Sequence, residues 1–107
     1  MYSTVLIMTP DLESTKKIAE SVVQRRLAAC ANFFPLSSIY WWNDKVVRES
    51  EYALVLKVRT EDFDEVKTTS LQLHPDKVPC IVRYDIAAGL TSYLDWIRES
   101  TERQKVD

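Results

Sequence analysis

Two extended segments that meet at a tight turn place the strongest constraint on the fold of this 107-residue chain. Cys30–Trp42, with a bulge or bend expected at Pro35, and Val46–Arg59 are rich in β-branched and aromatic residues, which is typical of strands. Asn43 and Asp44 lie between them and tolerate the left-handed backbone of a two-residue hairpin turn. At about 3.3 Å per residue, two strands of about fourteen residues project past a compact domain of this size. We therefore expect the free end of the hairpin to pair with a neighbouring chain.

The residues before the hairpin predict a strand followed by a helix. Tyr2–Met8 carries apolar residues on both of its alternating faces, which favours a strand that is covered on both sides. Thr9 is then expected to precede a helix with Pro10 at its first helical position. Apolar residues recur at helical spacing as far as about Leu27.

The residues after the hairpin predict a second helix, a fourth strand and a short last helix. The signals are capping and turn residues together with the spacing of the apolar positions. They predict a helix that is capped by Thr60 and ends after His74, a strand over Val78–Ile86, a capping box of Ser92 and Asp95, a short helix around Leu94 and Ile97, and a frayed tail from Glu102.

The resulting order is β-α-β-β-α-β-α. With right-handed crossovers and a central hairpin, this order predicts a four-stranded antiparallel sheet with helices on one face. The fold class is therefore α+β, a ferredoxin-like β-α-β-β-α-β sandwich with an extra C-terminal helix. We expect residues 1–107 to form a single domain, because the chain has no room for a second core.

The composition excludes several classes of function. The single glycine, Gly89, cannot supply a glycine-rich phosphate loop, and the single histidine with two distant cysteines excludes His-pair and Cys-x-x-Cys zinc motifs. The net charge of -2 does not indicate nucleic-acid binding. No apolar run approaches the length of a membrane span, and the first residues lack the features of a signal peptide, so we expect a cytoplasmic protein.

Five sequence blocks identify a known family. They are Thr9-Pro10-Asp11, residues 26–32 (RLAACAN), residues 38–42 (SIYWW), His74-Pro75 with Val78-Pro79, and residues 93–97 (YLDWI). Together they closely resemble CutA, the divalent-cation tolerance protein family, from about Val5 to Ile97. The resemblance implies a cytoplasmic homotrimer that is similar in architecture to PII signalling proteins and whose long hairpins pair between subunits. It also implies copper binding as in some members, and no established reaction.

The chain departs from the pattern of the copper-binding members. Those members carry a cysteine late in the first strand and a second histidine before the His-Pro pair, where this chain has Ile7 and Leu73. Only His74 remains as the candidate metal ligand. Its alternative role is that of a helix C-terminal histidine bonded to a carbonyl group.

The other candidate residues each have a functional and a packing interpretation. Tyr40, Trp41 and Trp42 are expected to anchor the trimer interface, with a ligand-stacking surface as the alternative.

Cys30 is expected to be a buried structural thiol. Cys80 is expected to pack in the core, with soft-metal coordination or redox sensitivity as the alternative, and no disulfide between the two is favoured. Three basic residues are expected to be solvated, or else to line an anion-binding cleft between subunits: Lys57, Arg59 and Arg83.

Three functional hypotheses follow. The first is a non-enzymatic homotrimer of divalent metal ion tolerance that requires no cofactor and binds copper(II) weakly through His74. The second is a PII-like sensor that binds a small anionic metabolite in the clefts between subunits. The third, a small hydrolase of the acylphosphatase type, shares only the topology, and the absence of a glycine-rich anion loop argues against it.

Overall fold

The computed structural model describes residues 1–103, in which a four-stranded antiparallel sheet is accompanied by three helices. The strand order is β2-β3-β1-β4. This arrangement confirms the predicted α+β fold with its long hairpin and additional C-terminal helix. The elements are β1 (Tyr2–Thr9), α1 (Leu12–Gln24), β2 (Cys30–Trp42), β3 (Lys45–Arg59), a 3₁₀ turn (Thr60–Asp62), α2 (Phe63–Leu73), β4 (Ile81–Asp85) and α3 (Thr91–Ser100).

The core lies between α1, α2 and one face of the sheet. Val5 and Ile7 of β1 are fully buried and pair with Leu56 and Leu54 of β3. Because side chains alternate along a strand, these residues share one face. The helices complete this core with Ile18, Ala19 and Val22 from α1 and Val66 from α2.

The opposite face of the sheet, which we call the open face, is only partly covered within one chain. Leu6 and Met8 of β1 are half-buried on this face, whereas Val82 and Tyr84 of β4 are exposed. The prediction that β1 is covered on both sides is therefore met only in part by the single chain. Apolar residues on the open face include Leu6, Met8, Phe34, Val55, Val82 and Tyr84.

The β2–β3 hairpin extends well past the rest of the sheet. Tyr52, which pairs with Thr9, is the residue of β3 nearest the turn that still pairs with β1. Residues 36–51, the overhang, continue as a two-stranded ladder and give the molecule extents of 45 × 31 × 21 Å. At its tip Asn43 and Asp44 adopt φ angles of 50° and 59°, which confirms the predicted tight turn.

Pro35 does not interrupt the pairing of β2, so the bulge expected there is wrong. The pairing register continues through Pro35 and its partner Tyr52 without an extra residue. The reason is that β2 is an edge strand. A proline whose nitrogen faces the unpaired side of an edge strand removes no ladder hydrogen bond.

The ends of α1 differ from the sequence prediction. Asp11, and not Thr9, is the N-cap, because its carboxylate accepts a 2.7 Å hydrogen bond from the backbone N–H of Ser14. The helix ends at Gln24, before Leu27. Arg26 turns into the left-handed region with φ of 57°, and the Leu27 N–H donates to the Val22 carbonyl at 2.9 Å. This Schellman motif closes the helix and directs Leu27 into the core.

The later elements also begin or end differently from the prediction. Thr60 does not cap α2, because its hydroxyl shares a 2.6 Å hydrogen bond with that of Ser3 and α2 begins only at Phe63. No side chain caps α3, so the predicted capping box of Ser92 and Asp95 is wrong. β4 spans Ile81–Asp85, which is shorter than the predicted Val78–Ile86.

The tail does not fray at Glu102 as predicted. Arg103 donates to the carbonyl oxygens of Arg26 and Thr101 at 2.9 and 2.8 Å. These bonds fasten the segment as far as Arg103 against the ends of α1 and α3. The remainder of the predicted frayed tail lies outside the described residues.

Candidate functional site

His74 lies directly after α2 with its side chain completely buried. Its Nε2 atom is 2.7 Å from the Met8 carbonyl oxygen, and its Nδ1 atom accepts a 3.1 Å hydrogen bond from the Asp76 backbone N–H. A carbonyl oxygen only accepts, so Nε2 donates to Met8 while Nδ1 accepts from Asp76. Both ring nitrogens are therefore engaged, and a metal ion at His74 would have to replace one of these bonds.

The aromatic residues expected at the trimer interface lie on the overhang. Trp41 is 73% exposed, Trp42 is 43% exposed and Tyr40 is half-buried. The Tyr40 hydroxyl donates a 2.5 Å hydrogen bond to Oε1 of Glu49 on the facing strand. This bond to the carboxylate, with burial as a smaller cause, raises the pKa of Tyr40 to about 12.

A cavity of about 780 Å³ lies between the overhang and the segment that follows His74. The overhang contributes Tyr40, Trp41 and Trp42, and the segment contributes residues 75–78 together with Cys80. Met8 at the end of β1 also lines it. The structure thus brings the three predicted aromatic residues and the segment fixed by His74 to one concave site.

The cavity has an excess of negative charge. Glu49, Glu51 and Asp76 line it, and Lys77 is the basic residue among its described lining residues. Ser38 is the ladder partner of Glu49, and Leu36 is that of Glu51, so both carboxylates project from the same face of the overhang as Tyr40. The surplus of carboxylates favours cations over anions in this cavity.

The two cysteines do not occupy the positions expected of them. Cys30 is half-buried and not fully buried, and its Sγ atom lies 3.5 Å from Oδ1 of Asn32 and 4.0 Å from the hydroxyl of Tyr93. Cys80 is exposed and lines the cavity, so its expected packing in the core is wrong. Cys80 lies opposite Met8 and two residues before Val82, so strand alternation places its side chain on the open face. Both thiols are free.

Two of the three basic candidates are occupied by contacts within the chain. Arg59 donates to the Thr101 hydroxyl and the Arg98 carbonyl at 2.8 and 2.7 Å. Arg83 forms a 2.9 Å ion pair with Asp85. Lys57 is half-buried on the open face. These contacts leave the two arginines with little capacity to bind an anion.

Residues 1–103 contain no cluster of three or more His, Cys, Asp or Glu side chains that is arranged to hold a metal ion. Nor does any of the described helices have the length and apolar character required to cross a membrane.

Comparison with known proteins identifies the family to which this arrangement belongs. The family model described as CutA1 divalent ion tolerance protein matches residues 3–100. The chain belongs to the CutA1 family. Its CutA1 relatives include the divalent-cation tolerance protein CutA of Archaeoglobus fulgidus, 38% identical over 102 residues that cover 95% of this chain and 100% of that protein. The corresponding protein of Thermus thermophilus is 45% identical over 94% of this chain and 99% of its own length.

Solved CutA structures confirm the fold. The structure from Archaeoglobus fulgidus superposes with a TM-score of 0.93 over 95% of this chain and 100% of that chain, and the structure from Thermus thermophilus with 0.91 over the same shares. The former is described as a periplasmic protein. A relative from rice, 34% identical over 91% of this chain and 55% of its own length, is named chloroplastic. The names of CutA1 relatives therefore point to more than one location.

Some residues of the CutA1 cavity were missed by the sequence analysis. Glu49 and Glu51 could have been found, because a two-residue turn at Asn43-Asp44 fixes the hairpin register and places them beside Tyr40. Met8 could not, because its position opposite Cys80 depends on two strands that are far apart in the sequence. Ile7, at the position where copper-binding members carry a cysteine, is fully buried in the core.

Proposed function

We propose that this CutA1 protein acts in divalent metal ion tolerance as a non-enzymatic homotrimer. The family description and the names of the relatives support the tolerance role. The overhang is the observation that supports assembly. Its two strands are paired only with each other, and they carry exposed Ile39 and Trp41 far from the core.

The physical argument for assembly rests on uncovered apolar surface and unpaired strand edges. Exposed apolar residues occur together on the overhang and on the open face, and a patch of this kind marks an interaction surface. The edge strands β2 and β4 also present unpaired backbone groups that can extend a sheet into a neighbouring chain. Closed three-fold symmetry lets every subunit use the same pair of surfaces.

Light scattering tests the assembly. The purified protein should have about three times the mass of one 12.4 kDa chain. Ile39→Lys, on the overhang, should lower the observed mass. Leu71→Lys is the matched control, because Leu71 is also exposed but lies on α2, outside the sheet. A wild-type mass of one chain, or equal behaviour of both variants, would contradict the trimer.

We also propose weak copper(II) binding at His74, supported by the acidic cavity beside it. The two hydrogen bonds of the ring must compete with the metal, which accounts for weak affinity. Calorimetric titration with copper(II) should give reduced heat for His74→Ala and His74→Gln relative to the wild type. Identical isotherms for the wild type and both variants would show that His74 does not bind copper(II).

The alternative, a sensor of a small anionic metabolite, has less support in the single chain. Three carboxylates face one lysine in the cavity, and Arg59 and Arg83 are engaged elsewhere. A panel of anionic metabolites should therefore give no shift in the melting temperature. For location we retain the cytoplasm as a proposal, which cell fractionation with an antibody to the chain would test.

A further inference from the structure

Met8 and Cys80 form a cross-strand pair at the end of the sheet. The register of β1 with β4 includes the pair Ile7 and Ile81, and the Met8 N–H donates a 3.1 Å hydrogen bond to the Cys80 carbonyl. Met8 is therefore directly opposite Cys80. Side chains of directly opposite residues point to the same face, with Cβ atoms about 4.5–5.5 Å apart. A thioether and a thiol thus lie side by side on the open face.

Both side chains also line the acidic cavity. Cys80 is exposed there, Met8 is half-buried, and Glu49, Glu51 and Asp76 surround the same space. The carboxylates raise the local concentration of cations. The two sulfur atoms then select among cations, because thiolate and thioether ligands favour soft metal ions.

We propose that Cys80 and Met8 form a two-sulfur site for a soft monovalent metal ion, Cu(I). The site rests on the proposed function in that its ligand is a metal ion, but it uses other residues and another oxidation state than the copper(II) site at His74. Cu(I) has a filled d shell and accepts two sulfur ligands. On binding, the Cys80 thiol loses its proton to solvent and the sulfur–metal bond forms, with no transfer of electrons.

The backbone of Met8 is held in place on both sides. Its N–H donates to the Cys80 carbonyl, and its own carbonyl accepts the bond from Nε2 of His74. The backbone position from which the Met8 side chain extends into the cavity is therefore fixed. Pre-organisation of this kind lowers the entropic cost of binding.

Competition with a chromophoric Cu(I) chelator, under anaerobic reducing conditions, tests the site in the full-length protein. Loss of a residue that only hydrogen-bonds to a metal ligand typically weakens metal binding about 10–100-fold. Cys80→Ser removes a ligand itself and should therefore weaken Cu(I) binding by more than about 100-fold. Met8→Leu preserves volume and should weaken it by about 10-fold or more. Cys30→Ser, which removes the other free thiol of the chain, is the matched control and should change the affinity by less than about twofold.

Two results would overturn the site. Wild-type affinity in Met8→Leu would show that the thioether is not a ligand, and equal losses in Cys30→Ser and Cys80→Ser would show unspecific thiol binding. Thermal unfolding and light scattering of each variant, compared with the wild type, establish that fold and assembly are retained. The copper(II) titration tests the proposed function separately from the Cu(I) site. His74→Gln should alter the copper(II) isotherm whether or not Cys80→Ser weakens Cu(I) binding.

Discussion

The guanidinium group of Arg103 lies 2.7 Å from Oδ1 of Asp62, a carboxylate that is almost fully buried. The other oxygen, Oδ2, has no hydrogen-bond partner among the described residues. Arg103 is thus the charge partner of Asp62, and it also bonds the carbonyl at the end of α1. The residue ties the C-terminal segment to the start of α2 and to the end of α1.

Removal of this guanidinium should destabilise the fold. Arg103→Met keeps much of the packing but leaves the Asp62 carboxylate uncompensated, and we expect a loss of about 1–3 kcal/mol in the free energy of unfolding. Urea denaturation at a fixed protein concentration measures it. Lys17→Met is the control, because the Lys17–Glu13 pair is highly exposed and should contribute less than about 1 kcal/mol. Equal effects of the two substitutions would contradict the assigned role of Arg103.

The sequence was sufficient for the parts of the fold that depend on local periodicity. Alternation in β3 and helical spacing in α1 indicate the face that forms the core, and Asn43-Asp44 predicted the turn, whereas β1 is apolar on both faces and its pattern does not distinguish the core face. The residues at which helices and strands begin and end were harder to predict from the sequence. Asp11 and Thr9 are both good N-cap residues. In the folded chain the Thr9 hydroxyl bonds to that of Thr15, and the Asp11 carboxylate caps the helix through the Ser14 N–H.

The candidate site was predictable only in part, for a physical reason. Tyr40, Trp41 and Trp42 stand out by composition, and His74 by being the single histidine. The pairing of Met8 with Cys80 depends on the register between strands that are separated by most of the chain, which no local pattern encodes. The same is true of the two bonds that engage the His74 ring.

The turn at the tip of the overhang offers a test of backbone strain. Asp44 has φ of 59°, a conformation in which glycine has no steric cost, whereas a β-branched residue is strongly disfavoured. Asp44→Gly should raise the free energy of unfolding by about 0.5 kcal/mol, and Asp44→Val should lower it by about 1–2 kcal/mol. Thermal unfolding of the two variants measures the difference. The reverse order of stability would show that the turn has another conformation in solution.

Asp11 should make the stability of α1 depend on acid pH. The hydrogen bond from the Ser14 backbone N–H is the main cause that holds the pKa of Asp11 below its ordinary value of 3.8. Because the folded-state pKa is lowered, the stabilisation is present above the unfolded-state pKa and is lost as pH falls through the folded-state value. Asp11→Asn still caps the helix but cannot titrate.

Denaturation curves from neutral pH down to about pH 3 distinguish the variants at Asp11. Asp11→Asn should resemble the wild type near neutral pH and lose less stability in acid, whereas Asp11→Ala should be less stable at neutral pH. An identical acid dependence of the wild type and Asp11→Asn would show that this carboxylate does not contribute.

The Tyr40 hydroxyl should lose its proton at a higher pH than that of an ordinary tyrosine. Its hydrogen bond to the Glu49 carboxylate is the main cause that raises its pKa from 10.0 to about 12. Since the folded-state pKa is raised, the stabilisation by this bond is present below the unfolded-state pKa and is lost as pH rises from 10 toward about 12. Tyrosinate absorbance follows the titration, and the late step should be reduced in Tyr40→Phe.

Substitution of the carboxylate itself separates the hydrogen bond from the general negative charge of the cavity. Glu49→Gln should return the pKa of Tyr40 toward 10.0, because the charged acceptor is replaced by a neutral amide. Glu51→Gln is the matched control, since Glu51 acts on Tyr40 only as a more distant charge and should produce a smaller change. If both glutamine variants lower the late step equally, the effect on Tyr40 is that of the charge of the whole cavity and not of the bond to Glu49.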